Sequence, residues 1–236
     1  PGMHLASSLL TVAHGSDSVM YFQWRKSRGC SEKFHGAVVD HVGHENTRVF
    51  REVSRLGERL KKLDDIVGTP TEAKAAILYD WANDWALKDA RAFHPWDKKL
   101  MKTVKSFYSP LWEKGIDTDI IGVEDSFEKY RLIIAPMMYS ISEGLAEKLE
   151  GFVKQGGILL ATYMTGMVDE NDLCYLGGLP CGRLKEVFGI WNEEIDSLFP
   201  EEKNRVLLKD GTAVTAVDYC EVIHADKAEV LATYDS

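Results

Sequence analysis

Residues 21–36 read Tyr-Phe-Gln-Trp-Arg-Lys-Ser-Arg-Gly-Cys-Ser-Glu-Lys-Phe-His-Gly, an apolar run passing into a polar loop. The stretch carries Arg25, Glu32 and His35 among the aromatic residues Phe22, Trp24 and Phe34. Aromatic faces cover C–H patches, while carboxylate, guanidinium and imidazole groups bond hydroxyls. A ligand that offers both surfaces at once is a sugar. A strand end that merely packs and then turns polar at the surface has a similar composition, and composition by itself leaves both readings open.

The elements that must position this loop can be read on either side of it. Met3–Gly15 has helical character, with Pro1 at its start and Gly15 just past its end, the asymmetry that helix termini favour. Ser18–Trp24 is mostly apolar on both faces, which predicts a buried parallel strand. The loop of residues 25–44 follows. In Asn46–Leu60, apolar residues at 49, 53, 56 and 60 step by four, three and four and predict one face of a helix. Helix, strand, helix is not a domain, because a strand buried on both faces needs neighbouring strands for its backbone. Residues 1–66 are therefore expected to be the closing remnant of a (β/α) barrel and to lack strand partners of their own.

Asp64–Thr71 is rich in turn residues, and the domain boundary is set there, giving units 1–66 and 67–236. A complete α/β pattern follows. Strands are predicted at Lys74–Tyr79, Thr118–Ile121, Arg131–Pro136 and Ile158–Thr162. Helices are predicted at about 96–114 with Gly115 at the cap, from Ser142 to Gly156-Gly157, and at 182–189. The tail from Arg205 alternates like antiparallel strands, notably Ala213–Val217 and Ala228–Thr233. Strands alternating with helices imply a doubly wound parallel sheet.

The totals exclude several classes. The 236 residues carry a net charge of −9, divided as +2 over residues 1–66 and −11 over the remainder. Such acidity argues against a nucleic-acid partner. No apolar run approaches the roughly 18 residues that span a bilayer, so no membrane partner is expected. Cysteines at 30, 174, 181 and 220 form no CxxC pair, so no metal site is expected, and their scatter fits a reducing, cytoplasmic compartment. Ligands of open α/β sheets sit outside the carboxyl ends of the strands. The strand exits here carry no Gly-rich phosphate loop, and no cofactor is expected. The acidic run Asp169–Asp172 is read as a solvated loop rather than a cation site.

The run Phe-Gln-Trp-Arg-Lys-Ser, followed by Glu-Lys-Phe-His-Gly-Ala-Val-Val-Asp-His, resembles the last barrel strand and loop of the glycoside hydrolase family 42 β-galactosidases. The resemblance is strong over residues 12–60. It extends over 74–195, where Gly156-Gly157, Asp169–Asp172 and Gly177-Gly178-Leu179-Pro180 fit the family's pattern, and weakens after 205. It implies that this loop closes on galactose, with Phe22 against the sugar, Glu32 and His35 bonding its hydroxyls, and Lys33 and Phe34 completing the segment; Trp24 and Arg25 are second choices. Members are retaining enzymes that need two carboxyl groups about 5–5.5 Å apart. Neither catalytic motif of the family matches residues 1–66, so Glu32 is a binding residue and no residue of this chain is assigned as catalytic. The family's cysteine zinc cluster has no counterpart either.

The second unit resembles the class I glutamine amidotransferase-like, flavodoxin-type fold. Enzymes of that fold need a Cys on a strand-to-helix elbow with a partner His. No Cys follows a strand exit here, and the unit's histidines are His94 and His224. The resemblance implies a non-catalytic trimerisation domain, with self-association as a homotrimer. Trp81, Trp85, Trp96, Phe107, Tyr108 and Trp112 are expected to be exposed at that interface. The alternative reading is a stand-alone interaction module of amidotransferase-like fold.

Overall fold

The computed structural model describes residues 1–93 and 97–235, so the predicted interface residue Trp96 lies outside the described residues. The chain divides into two compact units, Pro1–Glu72 and Ala73–Ser236.

In the first unit, helix α1 spans Met3–Ala13 and α2 spans Arg48–Leu60. Thr47 stops α2 from starting at Asn46: its backbone is extended, and its hydroxyl accepts the Phe50 N–H at 3.3 Å. The two helices meet where Glu52 Oε1 accepts the Gly2 N–H at 2.9 Å, with Leu56 and Ser8 buried. Ser8 Oγ lies 2.5 Å from the Tyr21 hydroxyl, and the Tyr21 ring stands edge-on to His4, which ties the segment after α1 back onto that helix.

The strand predicted at Ser18–Trp24 does not form. The segment joins no sheet; its backbone partners are residues 38 and 39, through Val38 N–H to Gln23 O (2.9 Å) and Val39 N–H to Trp24 O (2.7 Å). Met20, Phe22 and Trp24 are 89%, 72% and 65% exposed rather than buried. The reason is the one that makes the segment apolar on both faces: it suits a strand with neighbours on both sides, and the described residues of this unit supply none.

The second unit holds the parallel sheet. Strands β1 (Ala75–Leu78), β2 (Thr118–Ile121), β3 (Leu132–Ala135) and β4 (Ile158–Ala161) lie in the order β2-β1-β3-β4, all parallel. Alternation divides their side chains between two cores. Ala76, Leu78, Ile133 and Ala135 meet α5 (Glu143–Lys154) and α6 (Gly182–Phe188) through Leu145, Leu149, Phe152 and Leu184. Ile77 and Ile134 meet α3 (Trp81–Asp89) and α4 (Leu100–Glu113) through Leu87, Leu100 and Val104. Helices therefore cover both faces, as a parallel sheet requires.

Local signals account for most boundaries. Ser142 caps α5 by accepting the Leu145 N–H at 3.1 Å. At the far end a Cβ on Gly157 would sit 2.4–2.5 Å from the Phe152 ring, so any other residue there would have to displace that ring from the core. Helix α4 starts at Leu100 rather than near 96. Asp97 Oδ1 accepts the Lys99 N–H, and Lys98 Nζ reaches the Ala90 carbonyl, which holds residues 97–99 as a loop. Trp81, Trp85 and Trp112 are exposed, whereas Phe107 and Tyr108 are partly buried against the α3/α4 core, which corrects the expectation for those two.

Beyond the sheet, β5 (Ile190–Ser197) pairs antiparallel with β8 (Tyr219–Ala225), and β6 (Asn204–Leu208) pairs with β7 (Ala213–Ala216) and β9 (Ala232–Tyr234). The β5–β8 ribbon is fixed to the sheet by Glu221, whose Oε1 accepts the Met164 N–H at 2.7 Å. Met164 sits just past β4, buried and at φ 58. Burial pushes the Glu221 carboxyl above its ordinary range, although the Met164 N–H pulls the other way.

Variants at two positions test this frame. Asn83 in α3 is buried; its Nδ2 donates to Met137 O at 3.0 Å and its Oδ1 accepts the Ser140 N–H at 2.9 Å. Asn83→Ala leaves both backbone groups unpaired and should cost about 2–3 kcal/mol in denaturant unfolding, while Asn83→Asp can restore only the Ser140 half. A carboxyl whose folded pKa is raised stabilises fully below its unfolded pKa and loses that contribution as pH rises through the folded value. Glu221→Gln retains an acceptor for Met164, so its stability relative to the parent should improve as pH climbs from about 4 toward 7. Glu221→Ala, which orphans the Met164 N–H, should be destabilised by about 1–3 kcal/mol. A Gln variant whose stability difference is the same at both ends of that pH range would refute the assignment.

Candidate sugar-binding loop

The loop after residue 24 is closed at a neck. Arg25 bridges Val39 through two bonds, Lys26 N–H to Val39 O at 3.0 Å and Val39 N–H to Trp24 O at 2.7 Å, and Val38 N–H donates to Gln23 O beside them. Buried Ala37, Val38 and Val39 form the inner side of this neck. Across it the Lys26 ammonium meets Asp40, at 3.2 Å from Oδ2 and 3.4 Å from Oδ1. Asp40 Oδ1 also accepts the His41 N–H at 2.6 Å. That N–H first, and Lys26 second, hold the carboxyl below the usual carboxylate range. Farther out, His41 Nε2 lies 2.8 Å from Ser27 O, and Ser27 Oγ donates to Gln23 Oε1 at 3.2 Å.

Four of the five expected binding residues share the turn at the tip. His35 N–H donates to Glu32 O at 2.9 Å, and the Lys33 ammonium lies 5.5 Å from the Phe34 ring centroid while donating to Cys30 O at 3.4 Å. Phe34 is 76% exposed, His35 and Lys33 are exposed, and Glu32 is half-buried. Within the described residues no side-chain hydrogen bond or ion pair engages the Glu32 carboxylate or the His35 ring, so both keep their bonding capacity for a ligand. Phe22 stands apart, at the neck, and no ring contact joins it to the tip. Trp24 packs at 6.2 Å against Phe50 of α2.

The Lys26–Asp40 pair and its His41 and Ser27 supports went unseen in the sequence. Their signal was faint: a cation and an anion fourteen positions apart, flanking a loop, are paired only once the neck closes.

The second unit offers less chemistry. In its strand order the crevice for a ligand lies where the connections reverse, between β1 and β3. There the Asn83 amide bridges Met137 and Ser140, and Met137, Met138 and Ile141 are almost fully buried, so the crevice is filled from within. Cys174 is exposed, whereas burial pushes the Cys181 thiol up and away from the reactive thiolate. Asp169 Oδ1 accepts the Asn171 and Leu173 N–H groups, folding the acidic run into a turn. Among the described residues no three His, Cys, Asp or Glu side chains gather closely enough to hold a metal ion, and no helix is long and apolar enough to cross a membrane.

Comparison with known proteins adds a consistent result. Residues 1–63 match the family model described as β-galactosidase, and residues 73–236 match the model described as β-galactosidase trimerisation domain. The chain is 53% identical over 240 residues to β-galactosidase Pbg of Clostridium perfringens and 48% identical to β-galactosidase BglY of Alicyclobacillus acidocaldarius. Each alignment takes in 99% of this chain and 35% of the relative. Among solved structures it resembles a catalytic mutant of Gan42B, a GH42 β-galactosidase from G. stearothermophilus, with a TM-score of 0.94 and 48% identity. It also resembles a β-galactosidase from Bacillus circulans sp. alkalophilus, with a TM-score of 0.89 and 44% identity. These cover 100% of this chain and 34% and 36% of theirs. Spanning about a third of the length of the relatives it matches, the chain belongs to the glycoside hydrolase family 42 β-galactosidases.

Proposed function

We propose that this chain supplies the galactose-facing loop and the self-association domain of a retaining β-galactosidase that hydrolyses terminal β-D-galactosides. On this reading residues 1–66 are the end of the barrel and 67–236 the trimerisation domain, and both catalytic glutamates lie on barrel strands outside these residues. The observation that carries it is the tip turn, which presents a carboxylate, an imidazole and an aromatic ring, with no partners for the two polar groups among the described residues. Galactose needs that combination: hydroxyls for Glu32 and His35, with Phe22 and Phe34 against its C–H groups and Lys33 completing the segment.

The unfinished surface of the first unit supports the same reading. Met20, Phe22 and Trp24 are uncovered, while Gln23 Nε2 and Glu52 Oε2 are buried without hydrogen-bond partners. Neighbouring barrel strands would cover the first group and bond the second. The second unit then serves assembly as a homotrimer, for which the match to a trimerisation domain and the exposed Trp81, Trp85 and Trp112 are the support. Four free cysteines fit a reducing cytoplasm.

The test joins this chain to the upstream barrel of the Clostridium perfringens relative. The joined enzyme should hydrolyse a chromogenic β-galactoside. Glu32→Ala and His35→Ala should each lose a hydroxyl contact, about 1.5–3 kcal/mol for the carboxylate, or roughly 10- to 150-fold in kcat/KM. Variants within twofold of the parent would remove Glu32 and His35 from the site. Sedimentation of the 236-residue chain should reveal a concentration-dependent trimer, and a monomer at every concentration would end the assembly reading.

A further inference from the structure

The tip turn lies between two stretches of chain that have no sheet to hold them, yet its neck is closed by three backbone bonds and one side-chain pair. Each backbone bond joins residues 23–26 to residues 38–39, the segments entering and leaving the loop. The Lys26–Asp40 pair spans the same two segments one step farther out, and the Lys26 side chain is only 15% exposed. Asp40 is held in turn by the His41 N–H, and His41 Nε2 lies beside Ser27 O on the opposite side of the neck. A fully exposed ion pair does little, because it must immobilise two side chains in water. This one lies against backbone bonds already in place, so little further freedom is lost, and it acts on a loop whose ends would otherwise separate.

We propose that Lys26 and Asp40 are positioning residues: their ion pair clamps the neck of residues 25–40 so that the turn bearing Glu32 and His35 is preformed before sugar arrives. The inference rests on the galactose reading of that turn. Preforming the loop spares the ordering cost that binding would otherwise carry, so losing the clamp weakens ground-state and transition-state binding alike. The signature is a rise in KM with kcat nearly unchanged.

Two measurements on the same variants separate the clamp from the sugar. In the 236-residue chain, amide exchange at residues 26, 38 and 39 should be protected in the parent, faster in Lys26→Met and restored in Lys26→Arg. In the enzyme completed with the clostridial barrel, Lys26→Met should raise KM for o-nitrophenyl β-galactoside by about two- to fivefold, the upper part of the range for an ion pair near the surface. The kcat should stay within twofold, and Lys26→Arg should recover KM. Unchanged exchange in Lys26→Met overturns the clamp. Faster exchange with an unchanged KM leaves the clamp standing and overturns the assignment of the turn to galactose.

Discussion

Extended backbone must have its peptide groups paired on both sides or give them to water, and the two units meet that demand in opposite ways. Strand β1 is hydrogen-bonded to β2 on one side and β3 on the other, and helices bury both faces of the sheet. The segment from Ser18 to Trp24 has sheet-like composition with none of these neighbours, and its pairing is limited to a two-residue contact at the neck. Three large apolar side chains, Met20, Phe22 and Trp24, stay in solvent as a result. One unit pairs its extended backbone within a sheet, while in the other a segment of sheet-like composition pairs at two residues only.

The same division separates chemistry from architecture. In the sheet unit the place where an open α/β fold would take a ligand is occupied by the Asn83 amide and two buried methionines, and the partly buried carboxylate Glu221 is committed to a backbone N–H. Its polar groups are used to hold elements together. In the loop unit the Glu32 carboxylate and the His35 ring at the tip are uncommitted among the described residues, and the ion pair with its supports lies at the neck. Fixed supports beneath free functional groups are what a binding loop requires, since a ligand then meets donors and acceptors already in place.

Much of this was legible in the sequence where local rules decide. Thr118–Ile121 was read residue for residue, and β1, β3 and β4 to within a residue at either end, because fully buried parallel strands appear as short apolar runs between turns. Helix α5 was legible from Ser142 and from the glycines that end it. Helix α3 was hidden because its pattern is inverted: Asn83 and Asp84 face inward while Trp81 and Trp85 face solvent. Strand β5 was obscured by a bulge between Asn192 and Glu194 that breaks its alternation. Ser18–Trp24 was misread for a different reason. Its composition reports neighbours that the described residues do not include, and pattern cannot distinguish a strand that has partners from one that needs them. Of the candidate site, the tip residues were visible by type, while the ion pair beneath them depends on a contact across fourteen positions that no periodicity encodes.

The central claim is that the turn at residues 32–35 is one wall of a galactose pocket. The most direct measurement is the crystal structure of the enzyme completed with its barrel and soaked with galactose. The account predicts a Glu32 carboxylate oxygen within about 2.6–3.2 Å of a galactose hydroxyl, with His35 on a neighbouring one. Galactose bound in the barrel while Glu32 and His35 both turn to solvent would contradict it.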